Sequence, residues 1–283
     1  MKRSIPILMA CMAATAVIAQ VAIDSSKPKE PAVVKASDVP WGALNPARGD
    51  KGPRAGALWN DRTKKSASGF LVRFADGFSS PPHIHNVTYR GVVLSGLIHN
   101  DDPEAEEMWM PPGSFWTQPA GEVHITAAKG QDAMAYIEID EGPYLVLPKE
   151  EAFDKGERPV NVDPSNLVWL SRSETTWIEG EGKESPEIAF LWGKPVEGAK
   201  NGSFLRLPKG FVGELTSKEG VLRGVMVKGA MKSSVGGAKD QAFEAGEYFS
   251  VEGKETVRIS TGEDGGVTVY LQAQGPYLVS EVK

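Results

Sequence analysis

Four histidines carry most of the chemistry available to this sequence: His83, His85, His99 and His124, all in the first half of a 283-residue chain. His83 and His85 are two residues apart, so on a β-strand both point to the same side. Two imidazoles on one side can converge on one ion, and a third ligand must then come from a neighbouring strand. His124 lies at a hairpin distance suited to that role. Converging neutral imidazoles bind one divalent transition metal, with Zn, Fe or Mn foremost and Ni or Cu compatible. The competing reading is a polar barrel lining that holds no ion. His99 follows Gly96 and precedes the polar run Asn100 to Glu107, so it reads as a surface turn residue. Glu107 and Glu138 are candidate acids. Glu138 alternates with Tyr136 and Asp140 in an apolar strand, which fits either a barrel lining or a surface-facing ladder.

The elements that must position these residues are strands. No segment keeps a 3.6-residue apolar period, and short runs of Val, Ile, Leu and Phe are punctuated by Gly and Pro, which predicts an all-β barrel or sandwich. The chain also repeats itself. Leu58-Trp59 recurs as Leu191-Trp192, Gly69 as Gly202, Arg90-Gly91-Val92 as Arg223-Gly224-Val225, and Gly142-Pro143-Tyr144-Leu145-Val146 as Gly275-Pro276-Tyr277-Leu278-Val279. The offset is 133 throughout, a whole domain rather than a solenoid repeat. Upstream, Ser37 to Trp41 matches Ser165 to Trp169 after a shift. Repeated glycines specify turns and repeated Trp, Phe and Leu fill cores, so the repetition speaks to fold. The expected organisation is a first domain at 37–152, a linker at 153–164 and a second domain at 165–283.

Two segments carry a family resemblance. Gly77, His83, His85, Tyr89 and Gly96 stand at the spacing of the first cupin motif, with Tyr89 where the family usually has Glu. Gly113, Pro119 and His124 stand at the spacing of the second, with Ala128 where Asn is common. Over residues 37–283 the chain resembles an uncharacterised group of bacterial two-cupin proteins related to the cupin domain of anti-sigma factors. The resemblance implies two tandem jelly-roll type barrels, and it implies His83, His85 and His124 as metal ligands. Tyr89 then ligates the metal as a phenolate, orients a substrate as the catalytic residue, or simply fills the barrel. The second repeat has lost the site: the offset puts Thr216, Lys218 and Val257 at the three ligand positions, with Arg258 near the third after a one-residue slip. Its expected role is structural, the alternative being a metal-free anion pocket built on Lys218 or Arg258.

Composition bounds the rest. Hydrophobic residues make up 41% and charged residues 24%, ordinary for a globular protein. Lys2 and Arg3 followed by the apolar run Ile5 to Ala19 read as a signal peptide cleaved after Ala19, with a polar tether at 20–36 and a periplasmic or secreted destination. Leu8-Met9-Ala10-Cys11 loosely resembles a lipobox, a minor alternative. Cleavage removes Lys2, Arg3 and Cys11, the single cysteine, and takes the formal charge from −6 to −8. An acidic, thiol-free chain excludes disulfides and thiolate chemistry and gives no electrostatic reason to bind nucleic acid or anionic membrane. Expected partners are a small molecule and a second copy in a homodimer. The Asn86-Val87-Thr88 glycosylation pattern sits inside the histidine segment, where coincidence explains it. The functions that remain are a metal-dependent dioxygenase, isomerase or hydrolase, or a non-catalytic sensor that uses the metal structurally.

Overall fold

The computed structural model describes residues 32–182 and 184–282, so the signal-peptide reading and residues 20–31 of the tether lie outside the described residues. The chain is all-β, as expected, and no helix among the described residues is long and apolar enough to cross a membrane. A seven-stranded sheet runs in the order Val160–Val162, Phe115–Gln118, Tyr89–Asp101, Ile125–Ile139, Ser68–Arg73, Arg54–Trp59, Gly42–Ala43. With the small pair His83–His85 and Val146–Pro148 it forms the first barrel. The second barrel has two six-stranded sheets. One is Val33–Val34, Tyr248–Glu252, Val221–Lys228, Val267–Gln274, Lys200–Leu207, Glu187–Gly193. The other is Ile178–Glu179, Tyr277–Glu281, Val212–Ser217, Thr256–Thr261, Met231–Val235, Gln241–Phe243.

Each barrel is closed by a strand that precedes the other. Val33–Val34, expected inside a free tether, pairs with Phe249 and Tyr248 of the second barrel. Val160–Val162, expected inside a linker, pairs with Thr117, Trp116 and Phe115 of the first. Phe115 and Tyr248 are separated by the repeat offset, so the two exchanges are equivalent. Both expectations failed for one reason. A short polar stretch around two valines looks like a connector, but an exposed sheet edge offers unpaired N–H and C=O groups that such a stretch can satisfy.

The barrels pack face to face through a shared apolar layer. Leu58, Trp59, Leu71, Val92, Phe115 and Tyr136 of the first meet Ala189, Phe204, Val225, Tyr248 and Tyr270 of the second. Residues next to these in sequence, such as Phe70, Val72 and Ile137, point the other way into the first barrel's interior. Burial on both faces explains why these strands read as continuous apolar runs without clean alternation.

Several repeated glycines are set by this layer rather than by turns. A Cβ at Gly69 would sit 2.0 Å from Trp59 Nε1, and one at Gly202 would sit 1.8 Å from Trp192 Nε1. The indole lies flat on the strand there, and only Gly leaves room. Each indole N–H donates to a tyrosine hydroxyl, Trp59 to Tyr136 at 3.0 Å and Trp192 to Tyr270 at 2.8 Å. Glu138 sits at the centre of the layer, 1% exposed, and accepts from Tyr270 Oη at 2.8 Å, Tyr136 Oη at 3.2 Å and Gln272 Nε2 at 3.2 Å. Neither sequence reading of Glu138 holds: it lines no cavity and faces no solvent. Burial pushes its carboxyl up, opposed by the Arg90 guanidinium 3.8 Å away.

Candidate metal centre

The His83–His85 strand is short because Pro81 and Pro82 precede it, and proline removes the N–H that a longer ladder needs. It is held on both sides. Val146–Pro148 pairs along one edge, and His83 exchanges both backbone hydrogen bonds with His124 at 3.0 Å along the other. That bridge brings the third imidazole beside the first two. One ring nitrogen from each of His83, His85 and His124 lies within 4.8 Å of those of the other two, and all three residues are buried.

The ring orientations follow from the outer partners. Each Nδ1 faces a backbone carbonyl: His83 to Pro81 at 3.0 Å, His85 to Leu145 at 2.7 Å and His124 to Glu122 at 3.1 Å. A carbonyl only accepts, so Nδ1–H donates in each ring and Nε2 keeps its lone pair, the arrangement that metal-binding histidines require. Burial holds all three imidazoles neutral. It pushes His85 well below the ordinary histidine range, helped by His124 and His83, and pushes His124 down to about 3. His83 shifts the same way, from burial first and then from the Arg48 charge. No carboxylate joins the cluster among the described residues. Three neutral, pre-oriented, converging imidazoles suit a divalent transition metal.

Tyr89 is fully inside the barrel. Its hydroxyl donates to Asn100 Oδ1 at 2.8 Å and lies 3.5 Å from His124 Nε2. Burial raises its phenol far above the ordinary range, so the group is neutral. Asn100 is fixed in turn, receiving Thr126 Oγ1 at 2.8 Å and donating to Gln118 Oε1 at 2.9 Å. A polar network thus stands where the family motif usually places Glu.

Tyr144 is the site residue that sequence reasoning missed. Its ring stacks on His85 at 4.3 Å between centroids, and its hydroxyl donates to His85 Nε2 at 3.1 Å. Asn86 anchors the segment, donating to the Pro143 carbonyl and accepting the Leu145 N–H, both at 2.9 Å. Tyr144 recurs as Tyr277 in the duplicated closure, so the repeat marks it as scaffold. In the second barrel that ring instead hydrogen-bonds Ser203 Oγ at 2.8 Å.

Two other expectations fail. His99 is not a surface turn residue: it lies in the Tyr89–Asp101 strand, 2% exposed, with Nδ1 donating to the Met108 carbonyl at 3.2 Å. The strand runs beyond Gly96 because Leu97 to Asp101 pair with Ile125 to Lys129. Glu107 is exposed, accepts Trp109 Nε1 at 2.8 Å and lies 3.7 Å from Lys129, outside the His83, His85 and His124 cluster.

A cavity of about 50 Å³ opens above His83 and His85. Its walls are mainly apolar, with Val72, Phe74, Phe78, Trp116 and Ile137 on the inner side and Arg48 at the rim. The second barrel has no equivalent among the described residues, its interior being filled by residues such as Leu205, Leu215, Phe243 and Val257. Lys218 is exposed and Arg258 faces outward to Glu214 at 3.3 Å, so neither lines the interior of the second barrel.

Comparison with solved structures agrees with this architecture. A candidate dioxygenase from Nostoc punctiforme matches at a TM-score of 0.57 and 14% identity, over 79% of this chain and 74% of that one. A variant of the Bacillus subtilis oxalate decarboxylase matches at 0.53 and 12%, over 90% and 80%. The same decarboxylase, in a structure concerned with its Mn(II) centres, matches at 0.52 and 12%, over 88% and 78%. At such identities the likeness shows the fold, two cupin barrels in tandem. No curated protein matches the sequence. The model of one family, described as a domain of unknown function (DUF4437), covers residues 32–280, and the chain belongs to that family.

Proposed function

We propose that this protein is a metal-dependent enzyme acting on a small organic molecule at the three-histidine centre, with dioxygenase-, isomerase- or hydrolase-type chemistry. The observation that carries the reading is the set of three buried, converging imidazoles, each tied through Nδ1 to a carbonyl, two of which line a small apolar-walled cavity. His83, His85 and His124 would hold the ion. When bound, it would supply Lewis-acid polarisation or, for Fe or Mn, redox chemistry. The Mn(II) centres of a fold relative are compatible with Mn.

The surrounding residues have definable tasks. Val72, Phe74 and Ile137 exclude water and strengthen electrostatics inside. Tyr89 commits its proton to Asn100 and presents oxygen lone pairs to the centre. Tyr144 points its proton at the His85 lone pair, and with that lone pair holding an ion the Tyr144 hydroxyl would be free to donate to a substrate oxygen. Tyr89 and Tyr144 are therefore the substrate-orienting pair.

A second reading, a small-molecule sensor, is favoured by one observation. No carboxylate lines the cavity among the described residues, while the tyrosines are pushed up and the histidines down, so no lining group is poised near neutrality as a proton shuttle. The resemblance to anti-sigma cupins and the signal-like N-terminus support that reading and an extracytoplasmic location.

Elemental analysis of the chain purified without a histidine tag tests the common premise. The expected result is about one divalent transition metal per chain, absent from a His83→Ala/His85→Ala control. Oxygen uptake and product screens on the loaded protein then separate enzyme from sensor.

A further inference from the structure

We propose that the cavity of the first barrel binds a small carboxylate anion, and that Arg48 is the residue that recognises its charge. This rests on the metal reading for the floor of the site and extends it to the ligand.

The first argument is charge. The three imidazoles and both tyrosines are neutral, and no Asp or Glu lines the cavity among the described residues. Arg48 is the single charged side chain in that lining. Metal centres with a carboxylate ligand offset part of the ion's charge internally, but here Tyr89 occupies the place where the motif usually has Glu. A divalent ion on these histidines would share the cavity with a guanidinium and no opposing charge. An ion on these buried imidazoles would have no anionic protein partner, and the part-buried Arg48 beside it adds to the positive field, so the partner that both call for is an anion.

The second argument is the availability of donors. Arg48 lies in the Pro46–Lys51 turn and makes no ion pair with any described residue. Its charge reaches His83, so guanidinium and metal floor face one space. The hydroxyl protons of Tyr89 and Thr126 are both spent on Asn100. Trp116 Nε1, by contrast, is a buried wall donor that faces the Tyr89 oxygen without a well-formed hydrogen bond. A planar guanidinium fork matches a carboxylate better than any neutral polar group does.

The third argument is size. A cavity of about 50 Å³ admits a ligand of only a few heavy atoms beside the ion. A short carboxylate matches this space.

The experiment uses the full mature chain loaded with Co(II), whose visible spectrum reports its ligand set, with metal content measured independently. Acetate and pyruvate are titrated against the neutral isostere acetamide, in the wild type and in Arg48→Gln. The expected result is that both acids perturb the spectrum and raise the melting temperature while acetamide does neither. Arg48→Gln should weaken acid binding by about tenfold or more with unchanged Co(II) content. Equal binding of acetamide and acetate, or undiminished acetate binding by a folded Arg48→Gln chain, overturns the proposal. If the chain takes up no metal, the metal reading fails separately. The same titration on the metal-free chain then decides: Arg48-dependent acetate binding upholds the anion assignment, and its absence overturns it.

Discussion

The two barrels share a scaffold and differ in what fills it. In the first, His83 pairs across strands with His124, and the imidazoles leave lone pairs that converge with that of His85. In the second, the residue at the His83 position is Thr216, and its cross-strand partner is Thr256, one residue before the Val257 that the constant offset indicates. The two threonine hydroxyls hydrogen-bond each other at 3.0 Å. One barrel holds polar groups that look for a partner, while the other has closed that demand internally and packed the remaining space with Leu and Phe. The lesson is that a duplicated fold loses a site by satisfying its polar groups, not only by losing ligands. A buried imidazole trio without an ion is costly to keep, whereas a threonine pair is not.

Breaking the first barrel's half of this comparison should give the largest effect. His124→Ala is expected to reduce metal affinity by more than about 100-fold while the barrel still folds, whereas Thr256→Ala leaves metal content unchanged. Metal retention at wild-type level in His124→Ala would remove the basis for a three-histidine centre.

The seam between the barrels comes next. Glu138→Ala strips the acceptor from Tyr136, Tyr270 and Gln272 at once. Destabilisation of about 3–5 kcal/mol, or a melting temperature lowered by about 10 °C, is expected from three donors left buried. Calorimetry checks this, and a change below about 1 kcal/mol would mean that the layer tolerates water there.

Acid sharpens the contrast without mutation. The folded-state pKa values of His83, His85 and His124 lie below the ordinary value near 6.5, so the folded metal-free chain binds fewer protons than the unfolded one. Their contribution is fully present above pH 6.5 and is lost as pH falls from there toward about 3, where His124 titrates. Each histidine adds a slope of up to about 1.4 kcal/mol per pH unit. Urea unfolding of the metal-free chain between pH 7 and 5 should show this fall, flatter in His83→Ala/His85→Ala. Identical slopes would place the acid sensitivity elsewhere.

The smallest effect belongs to the second barrel. Thr216→Val removes one side of the threonine pair and is expected to cost about 1 kcal/mol, with no effect on metal content or on anion binding. A loss of metal in this variant would mean that the second barrel supports the first more closely than the packing indicates.

The sequence by itself determined the fold class, the duplication and the histidine trio. Each is encoded locally: short strands between turn residues, a constant offset of 133, and two histidines at strand spacing followed by a third in a recognisable motif. Tyr144 was visible only as a repeated scaffold residue, because repetition records what two barrels share and says nothing about which neighbour a ring meets in each. His99, Glu138 and the strands at Val33–Val34 and Val160–Val162 were misread for a related reason. Polar residues near turn signals look exposed in one dimension, and only the meeting of sheets distant in sequence decides that they are buried and paired. Arg48 shows the same limit from the other side. Its type was plain, but its place at the rim of the histidine cavity depends on a turn that sequence periodicity does not predict. Local residue chemistry sets what each strand can offer. Which offers meet is decided by long-range packing, where hydrogen bonds and charges must be satisfied across the whole molecule.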